Sequence, residues 1–150
     1  MSAMDKIHLK NERETKKIGL ALADEVKPGD VIALIGGLGT GKTTLTKYIA
    51  KGLGIREDIT SPTFTIIKEY KSGRLPLFHF DVYRLTCEEE MYGLGYEEYF
   101  FGNGVTVIEW ADKVAGLLPA GSIKIHMSYG AGEFERIYEI EKAGSQICTF

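Results

Sequence analysis

The first third of the chain alternates between helical and strand-like hydrophobic patterns. Residues 12–27 carry an apolar stripe at helical spacing, and the segment Pro28-Gly29-Asp30 ends this predicted helix. Val31–Ile35 is a β-branched and apolar run, which is typical of a buried strand. Apolar side chains then recur at helical spacing before Gly54, at Leu45, Tyr48, Ile49 and Leu53. The pattern predicts a helix, a buried strand and a second helix.

The rest of the chain is predicted to form mainly strands. Residues 64–70 and 76–83 have strand patterns, and the short turn between them favours an antiparallel hairpin. Three further strands are predicted, at residues 105–108, 123–127 and 133–141. Ile123, Ile125 and Met127 alternate with polar residues, which indicates a strand with one side facing water. A mixed sheet with an antiparallel C-terminal part is therefore expected.

A glycine-rich turn joins the buried strand to the second helix. Residues Gly36–Thr43 spell G-x-x-x-x-G-K-[ST], the pattern of a phosphate-binding loop, in the strand–turn–helix setting that this motif needs. The glycines let backbone N–H groups surround phosphate oxygens at the positive end of the helix dipole. Lys42 is expected to reach the β- and γ-phosphates, and the Thr43 hydroxyl to ligate Mg²⁺. The chain is therefore expected to bind a nucleoside triphosphate.

The motif and the strand pattern together predict the fold class. We expect an α/β fold, a three-layer sandwich like that of P-loop NTPases, with a mixed sheet and antiparallel C-terminal strands. The 150 residues leave room for one domain with a sizeable core and little else. Residues 1–150 are therefore expected to form a single P-loop ATPase domain.

Composition and charge indicate the setting in which the chain works. A formal net charge of −3 does not fit a protein that grips a nucleic-acid backbone by itself, so any such role is expected to be indirect. Cys87 and Cys148 lack metal-ligand spacing, which favours a reduced protein. The first ten residues contain no apolar stretch long enough for a signal peptide or a membrane span. A soluble, cytoplasmic protein with no membrane association is expected.

Two acidic residues stand at the ends of apolar strands, Asp81 after Phe78-His79-Phe80 and Glu109 after Val107-Ile108. In P-loop proteins an acid on a neighbouring strand holds Mg²⁺, and a second acid can orient the attacking water. The alternative is a partly solvated carboxylate in a structural hydrogen bond, which the phosphate loop nearby makes less attractive. The division of roles between the two acids stays open. His79 shares a strand face with Asp81, and a structural histidine is favoured over a catalytic one.

Four hydroxyl residues surround a proline shortly after the second helix: Thr60, Ser61, Thr63 and Thr65. In other P-loop proteins this region is a switch whose threonine meets Mg²⁺ or the γ-phosphate when the triphosphate is bound. An ordinary polar turn is the alternative. The density of hydroxyl groups favours a switch.

Two larger side chains also bear on the site. Arg136 lies in the last predicted strand, on one face with Phe134, Tyr138 and Ile140. An arginine in an apolar row needs an anion, an aromatic face or a route to solvent, so binding of the nucleotide and snorkelling at the sheet edge both stay open. Trp110, the single tryptophan, follows the second candidate acid; core filling is the default, and nucleotide stacking or partner binding are the alternatives.

Several of these motifs together resemble one family, the bacterial TsaE ATPases of threonylcarbamoyladenosine biosynthesis. The resemblance covers nearly the whole chain, through the segments Leu38–Thr44, Ser61–Thr65, His79–Leu85 and Ile108–Trp110. Their order and spacing are far more specific than the phosphate loop alone. Gly37 departs from the family, which commonly has aspartate at this position. We expect altered loop flexibility rather than lost binding there.

The resemblance also implies a set of site residues. Thr15 is expected near the adenine and Arg136 near the nucleotide. The loop residues expected to bind the nucleotide are Gly37, Leu38, Gly39, Thr40, Gly41, Lys42, Thr43 and Thr44. The expected catalytic residues are Lys42, Asp81 and Glu109, and the expected metal ligands are Thr43, Asp81 and Glu109. Ser61, Thr63, Thr65 and Trp110 are expected to form a switch or to contact a partner.

The function that the resemblance implies is that of a small ATPase using ATP and Mg²⁺. Such an ATPase works with the TsaD and TsaB proteins, which modify the adenosine next to the anticodon in tRNAs that read codons beginning with A. Contact with the tRNA would be indirect, through that complex. The alternatives are a small-molecule kinase, for which no arginine-bearing lid is evident, and a nucleotide sensor without enzymatic activity. The absence of an N-K-x-D sequence favours ATP over GTP.

Overall fold

The computed structural model of the chain describes residues 2–61 and 66–143. The strands are β1 (Ser2–Leu9), β2 (Val31–Gly36), β3 (Ile67–Tyr70), β4 (Leu77–Asp81), β5 (Val105–Glu109), β6 (Ile123–Tyr129) and β7 (Arg136–Ala143). The α-helices are α1 (Glu12–Glu25), α2 (Lys42–Gly52) and α3 (Tyr96–Phe100), and 3₁₀ helices span Glu88–Leu94 and Ala111–Leu117.

The described strands form one mixed sheet in the order β1-β7-β6-β2-β5-β4-β3. The central strands β6, β2, β5 and β4 run parallel, while β1, β7 and β3 each pair antiparallel with a neighbour. β2 reads as a continuous apolar run because both of its faces are covered. The predicted α/β class, the β3–β4 hairpin and the antiparallel C-terminal strands are confirmed.

Two apolar cores lie on opposite faces of the sheet and make the fold three layers deep. One core lies between the sheet and the helices α1 and α2. The other lies between the opposite face and the helical segments around Met91, Phe100 and Val114. None of the helices within residues 2–61 and 66–143 has the length and apolar character to cross a membrane.

Close contact between α1 and α2 sets the position of the phosphate loop. A Cβ atom on Gly19 would lie 2.5 Å from the Cβ of Tyr48, and one on Gly52 would lie 2.5 Å from the Cβ of Ala23. Only glycine therefore lets the two helices approach this closely. Because α2 begins at Lys42, this packing also holds the N-terminus of α2 beside α1.

The last strand begins later than the sequence predicts. β7 starts at Arg136 rather than at residue 133, and the Gly130 N–H donates to the Glu135 carbonyl at 2.9 Å across a longer turn. Phe134 therefore lies outside the strand and is exposed, so the predicted apolar row is wrong at that residue. The prediction holds for Tyr138 and Ile140, which are buried. A Cβ atom on Gly130 would lie 2.6 Å from the Cβ of Glu135, so the two sides of this turn pack closely there.

Candidate functional site

A cleft opens where the central parallel strands end. Gly36 ends β2, Asp81 ends β4 and Glu109 ends β5, and the register places Asp81 directly opposite Glu109. The cleft has a volume of about 470 Å³. It is lined by Leu38, Gly39, Gly41, Lys42, Thr43, Thr44, Ser61, Asp81, Tyr83, Glu109 and Trp110. Ligands of open α/β sheets bind at such carboxyl ends of strands, and most of the residues expected from the sequence meet here.

The phosphate loop leads directly from β2 into α2. Gly39 and Gly41 have φ angles of 76° and 96°, a left-handed conformation that glycine adopts without strain. At Gly36 a Cβ would lie 2.6 Å from the Met127 carbonyl oxygen, so the loop runs tightly against β6. At Gly37 a Cβ would meet nothing within 4 Å. The loop thus directs the N-terminus of α2 into the cleft, where its free N–H groups favour an anion.

Lys42 is the cation of the cleft and is bound to the loop itself. Its Nζ donates to the carbonyl oxygens of Gly36 at 2.8 Å and Gly37 at 2.7 Å. The same Nζ lies 4.0 Å from the centre of the Trp110 ring. Burial lowers the pKa of Lys42 below its usual value, and the carboxylates of Glu109 and Asp81 oppose that shift. A desolvated ammonium at this place suits a strongly anionic ligand.

A chain of hydrogen bonds runs from the loop to the core through Glu109. The Thr43 hydroxyl donates to the Glu109 carboxylate, with distances of 2.9 and 3.1 Å to its two oxygens. Oε2 of Glu109 also lies 2.6 Å from Nε2 of the buried His79. Glu109 is only 2 % exposed. The favoured interpretation of His79 as a hydrogen-bonded histidine agrees with this contact.

Asp81 lines the cleft next to Glu109, on the neighbouring strand. Its Oδ1 accepts a hydrogen bond of 3.1 Å from the Tyr83 N–H. Burial raises the pKa of Asp81, the neighbouring Glu109 adds to the shift, and the Tyr83 N–H and Lys42 oppose it. Two carboxylates thus share one cleft in different surroundings: Glu109 is buried between hydrogen-bond donors, and Asp81 is half-buried.

The predicted switch is described only in part. The Ser61 hydroxyl lies 2.8 Å from the Thr43 hydroxyl, so this residue reaches the site, while Thr60 accepts a hydrogen bond from Lys68. Thr63 and Thr65 lie outside the described residues. Their switch role stays a prediction.

A second, smaller cavity of about 130 Å³ borders the same loop. It is lined by Glu12, Thr15, Thr40, Gly41, Thr44, Phe134, Arg136 and Tyr138. Thr15 is hydrogen-bonded to Tyr138, and burial raises the pKa of the Tyr138 phenol to about 12. Gly41 and Thr44 belong to both cavities, so a ligand that crossed the loop would contact both.

Arg136 lies against the phosphate loop through contacts that the sequence left undecided. Its guanidinium donates to the Gly39 carbonyl at 3.2 Å and lies 5.0 Å from the centre of the Tyr129 ring. It also donates to the carbonyls of Glu133 and Glu135, each at 2.9 Å. The sequence analysis missed Tyr129, whose hydroxyl donates to the Leu38 carbonyl. Its place just after the predicted strand at residues 123–127 was the available signal.

Trp110 belongs to the cleft wall rather than to the core alone. It is half-buried, has a φ of 64°, and lies 4.7 Å from the Tyr83 ring, centre to centre. A left-handed conformation is rare for such a bulky residue and marks a constrained position. The indole therefore borders both Lys42 and the open cleft.

The oxygen groups at the loop fit Mg²⁺ held together with a nucleotide. Within the described residues there is no cluster of three or more His, Cys, Asp or Glu side chains that could form a closed metal site. Mg²⁺ usually takes one or two carboxylates, several waters and the substrate phosphates rather than such a cluster. The Thr43 hydroxyl and the carboxylates of Glu109 and Asp81 supply that kind of donor set.

Comparison with known proteins identifies the family. The sequence model of "Threonylcarbamoyl adenosine biosynthesis protein TsaE" matches residues 9–137. The chain is 48 % identical over 136 residues to the tRNA threonylcarbamoyladenosine biosynthesis protein TsaE of Bacillus subtilis, covering 91 % of this chain and 84 % of that protein. The TsaE protein of Treponema pallidum is 42 % identical over 118 residues, covering 79 % of this chain and 87 % of that protein.

A solved structure shares the fold as well. The crystal structure of YdiB from Bacillus subtilis superposes with a TM-score of 0.82 at 44 % identity, covering 96 % of this chain and 88 % of that one. The predicted P-loop-type fold and the resemblance stated from the motifs are both confirmed. The chain belongs to the TsaE family of tRNA threonylcarbamoyladenosine biosynthesis proteins.

Proposed function

We propose that this chain binds ATP with Mg²⁺ in the cleft and hydrolyses it in the cytoplasm, as the ATPase of tRNA threonylcarbamoyladenosine biosynthesis, together with TsaD and TsaB. Family membership implies nucleotide binding and the pathway. The observation that carries the rest is the convergence of Lys42, Thr43, Asp81 and Glu109 in one cleft beside a glycine-rich loop. P-loop NTPases use an ammonium at the phosphates, a hydroxyl and a carboxylate for the metal, and a further residue that orients the attacking water.

Each part of the loop has a role in this proposal. The N–H groups at the start of α2 would hold the phosphates, and Lys42 would exchange its bonds to the Gly36 and Gly37 carbonyls for bonds to phosphate oxygens. Thr15 and Arg136 line the second cavity, where the adenosine would lie. The shared residues Gly41 and Thr44 join the two cavities along the length of a nucleotide.

The hydrogen bonds favour different roles for the two acids. Glu109 contacts the Thr43 hydroxyl directly, so these two residues would hold the metal together. Bound Mg²⁺ would neutralise phosphate charge and stabilise the charge that develops during transfer. Asp81 lines the cleft and has a pKa raised by burial, which suits orienting a water molecule and accepting its proton.

The segment after α2 supports a dependence on partner proteins. Ser61 reaches Thr43, so the chain between α2 and β3 can influence the catalytic groups. A partner that holds this segment would add preorganisation, as activators of GTPases do in trans. The net charge of −3 fits contact with proteins better than contact with RNA.

The test is ATP hydrolysis by the purified chain, alone and with TsaD–TsaB, while tRNA modification is followed in parallel. We expect slow hydrolysis alone and a rise of at least about tenfold with the partners, which corresponds to about 1.4 kcal/mol of barrier. Lys42→Ala is the control and should abolish both activities. Fast hydrolysis that ignores the partners, or transfer of phosphate to a small acceptor, would contradict the proposal. Binding without hydrolysis under any condition would instead indicate a nucleotide sensor.

A further inference from the structure

A buried histidine lies directly behind the proposed metal site. The His79 side chain is fully buried in β4 and is not part of the cleft lining. Its Nε2 lies 2.6 Å from Oε2 of Glu109, and its Nδ1 has no hydrogen-bond partner in the described structure. The ring therefore makes one polar contact, and that contact is to a carboxylate that faces the cleft on its other side.

The contact fixes the tautomer of the ring. A carboxylate only accepts hydrogen bonds, so Nε2 of His79 must carry the proton that it shares with Glu109. A buried N–H without an acceptor is costly, so the ring is best accommodated with its proton on Nε2 and a lone pair on Nδ1. His79 is thus a donor aimed at Glu109 alone.

Glu109 needs such a donor because its other contacts are shared. The side chain has three rotatable bonds, and among the described residues its other hydrogen-bond partner is the Thr43 hydroxyl. That hydroxyl also contacts Ser61, and the proposed function assigns it to the metal. His79 donates to Glu109 from the core side, so a ligand in the cleft does not displace this hydrogen bond.

We propose that His79 is a positioning residue that holds the Glu109 carboxylate in the orientation that serves the bound Mg²⁺–nucleotide. The effect of His79 on Mg²⁺ and nucleotide rests on the proposed function, but the His79–Glu109 hydrogen bond can be tested without any nucleotide. Removing a residue that hydrogen-bonds to a metal ligand and orients it typically lowers metal affinity or activity by about 10–100-fold.

The first measurement concerns the free protein. Long-range ¹H–¹⁵N spectra of the histidine rings, with His79→Gln to assign the signal among the three histidines, report which nitrogen carries the proton. We expect the Nε2–H tautomer, and a shift of that signal in Glu109→Gln. The Nδ1–H tautomer would overturn the proposal, because Nε2 could not then donate to the carboxylate.

The second measurement separates positioning from packing. His79→Leu removes the donor and keeps an apolar side chain, whereas His79→Gln keeps an N–H donor at a similar reach. Val107→Ala is the matched control, since Val107 lies opposite His79 in the strand register and its loss disturbs the same core without touching Glu109. Trp110, the single tryptophan, lies in the cleft and provides a fluorescence signal for Mg²⁺ titrations at saturating ATP analogue.

We expect His79→Leu to weaken Mg²⁺ binding and to lower kcat by about 10–100-fold, with little change in KM for ATP. His79→Gln should keep most of the Mg²⁺ affinity and most of kcat. Val107→Ala should lower the stability of the fold but leave Mg²⁺ affinity and kcat unchanged. The proposal is overturned if His79→Leu matches the wild type, or if it falls only as far as Val107→Ala. If the wild type shows no hydrolysis, the proposed function fails, and the spectra and the Mg²⁺ titration still decide the role of His79.

Discussion

Two substitutions of Glu109 separate its hydrogen bonds from its charge. Glu109→Gln keeps the shape and one acceptor oxygen, and it exchanges the other oxygen for an NH₂ donor. Glu109→Leu keeps an apolar side chain of similar size and removes both acceptors. In the structure the carboxylate lies between His79 and Thr43, which both donate to it. The two variants therefore leave His79 and Thr43 with different hydrogen-bond partners.

The amide can be accommodated with a partner for its oxygen and for one of its two N–H groups. Its oxygen can accept from His79, while its nitrogen donates to the Thr43 oxygen. The Thr43 hydroxyl can then turn its proton to Ser61, which lies 2.8 Å away. Because each hydrogen bond keeps a partner, we expect the free energy of unfolding of Glu109→Gln to stay within about 1 kcal/mol of the wild type.

The leucine variant leaves the Nε2–H donor of His79 without an acceptor. His79 is fully buried, and Nδ1 already lacks a partner, so loss of the carboxylate leaves both ring nitrogens unpaired. An unsatisfied buried donor costs about 1–3 kcal/mol, and we expect Glu109→Leu to be less stable by that amount. Both variants lose the negative charge, so both should lose turnover by on the order of a hundredfold, or about 2.7 kcal/mol of barrier.

Urea unfolding at neutral pH and ATP hydrolysis with TsaD–TsaB measure the two effects side by side. Nucleotide affinity, from calorimetry with a slowly hydrolysed analogue, should stay within about tenfold for Glu109→Gln, because the transition state needs the charge more than the ground state does. Equal stability of the two variants would show that the His79–Glu109 bond does not matter to the fold. Wild-type turnover by Glu109→Gln would show that the charge does not matter to the chemistry.

Two further predictions follow from neighbouring residues. Asp81→Asn should be at least as stable as the wild type at neutral pH: a raised acid pKa means that folding penalises the charged form above that pKa, and the advantage of asparagine should fade as the pH falls through it. Urea unfolding across the acid range checks the sign, and a variant less stable at pH 7 would refute it. Gly37→Ala should gain about 0.4–1 kcal/mol, because the added Cβ meets nothing within 4 Å. Gly39→Ala is its control and should lose about 1–2 kcal/mol, since φ is 76° there and a tyrosine hydroxyl would lie 2.7 Å from the Cβ.

The sequence allowed the cleft to be predicted because its parts are local. The octet Gly36–Thr43 contains its own turn, its own helix start and its own charged groups, so it could be recognised without the rest of the fold. Asp81 and Glu109 were identified because a carboxylate at the end of an apolar strand is expensive to bury. Both acids and the loop do lie on one cleft.

Contacts between distant segments could not be predicted in the same way. The sequence placed His79 on the face of Asp81, but its bond to Glu109 depends on the register between β4 and β5, which residues 82–104 connect outside the sheet. Arg136 was placed on a strand, yet its contacts with Gly39 and Tyr129 depend on a turn that ends three residues later than predicted. Register and turn length are set by packing of the whole sheet, which periodicity does not encode.

The electrostatics of the cleft argue that it is built for a ligand rather than for stability. Glu109 and Lys42 are buried, and Asp81 is half-buried, although replacing the whole set of charged and polar partners by apolar side chains would fill the same space at less cost. Burial disfavours the charged forms of Lys42 and Asp81, as the directions of their pKa shifts show. A polyanion at the N-terminus of α2 would stabilise the ammonium, and a divalent cation beside it would stabilise the carboxylates. A nucleoside triphosphate with Mg²⁺ brings both charges together, so its binding would offset the desolvation cost that Lys42 and Asp81 carry in the free protein.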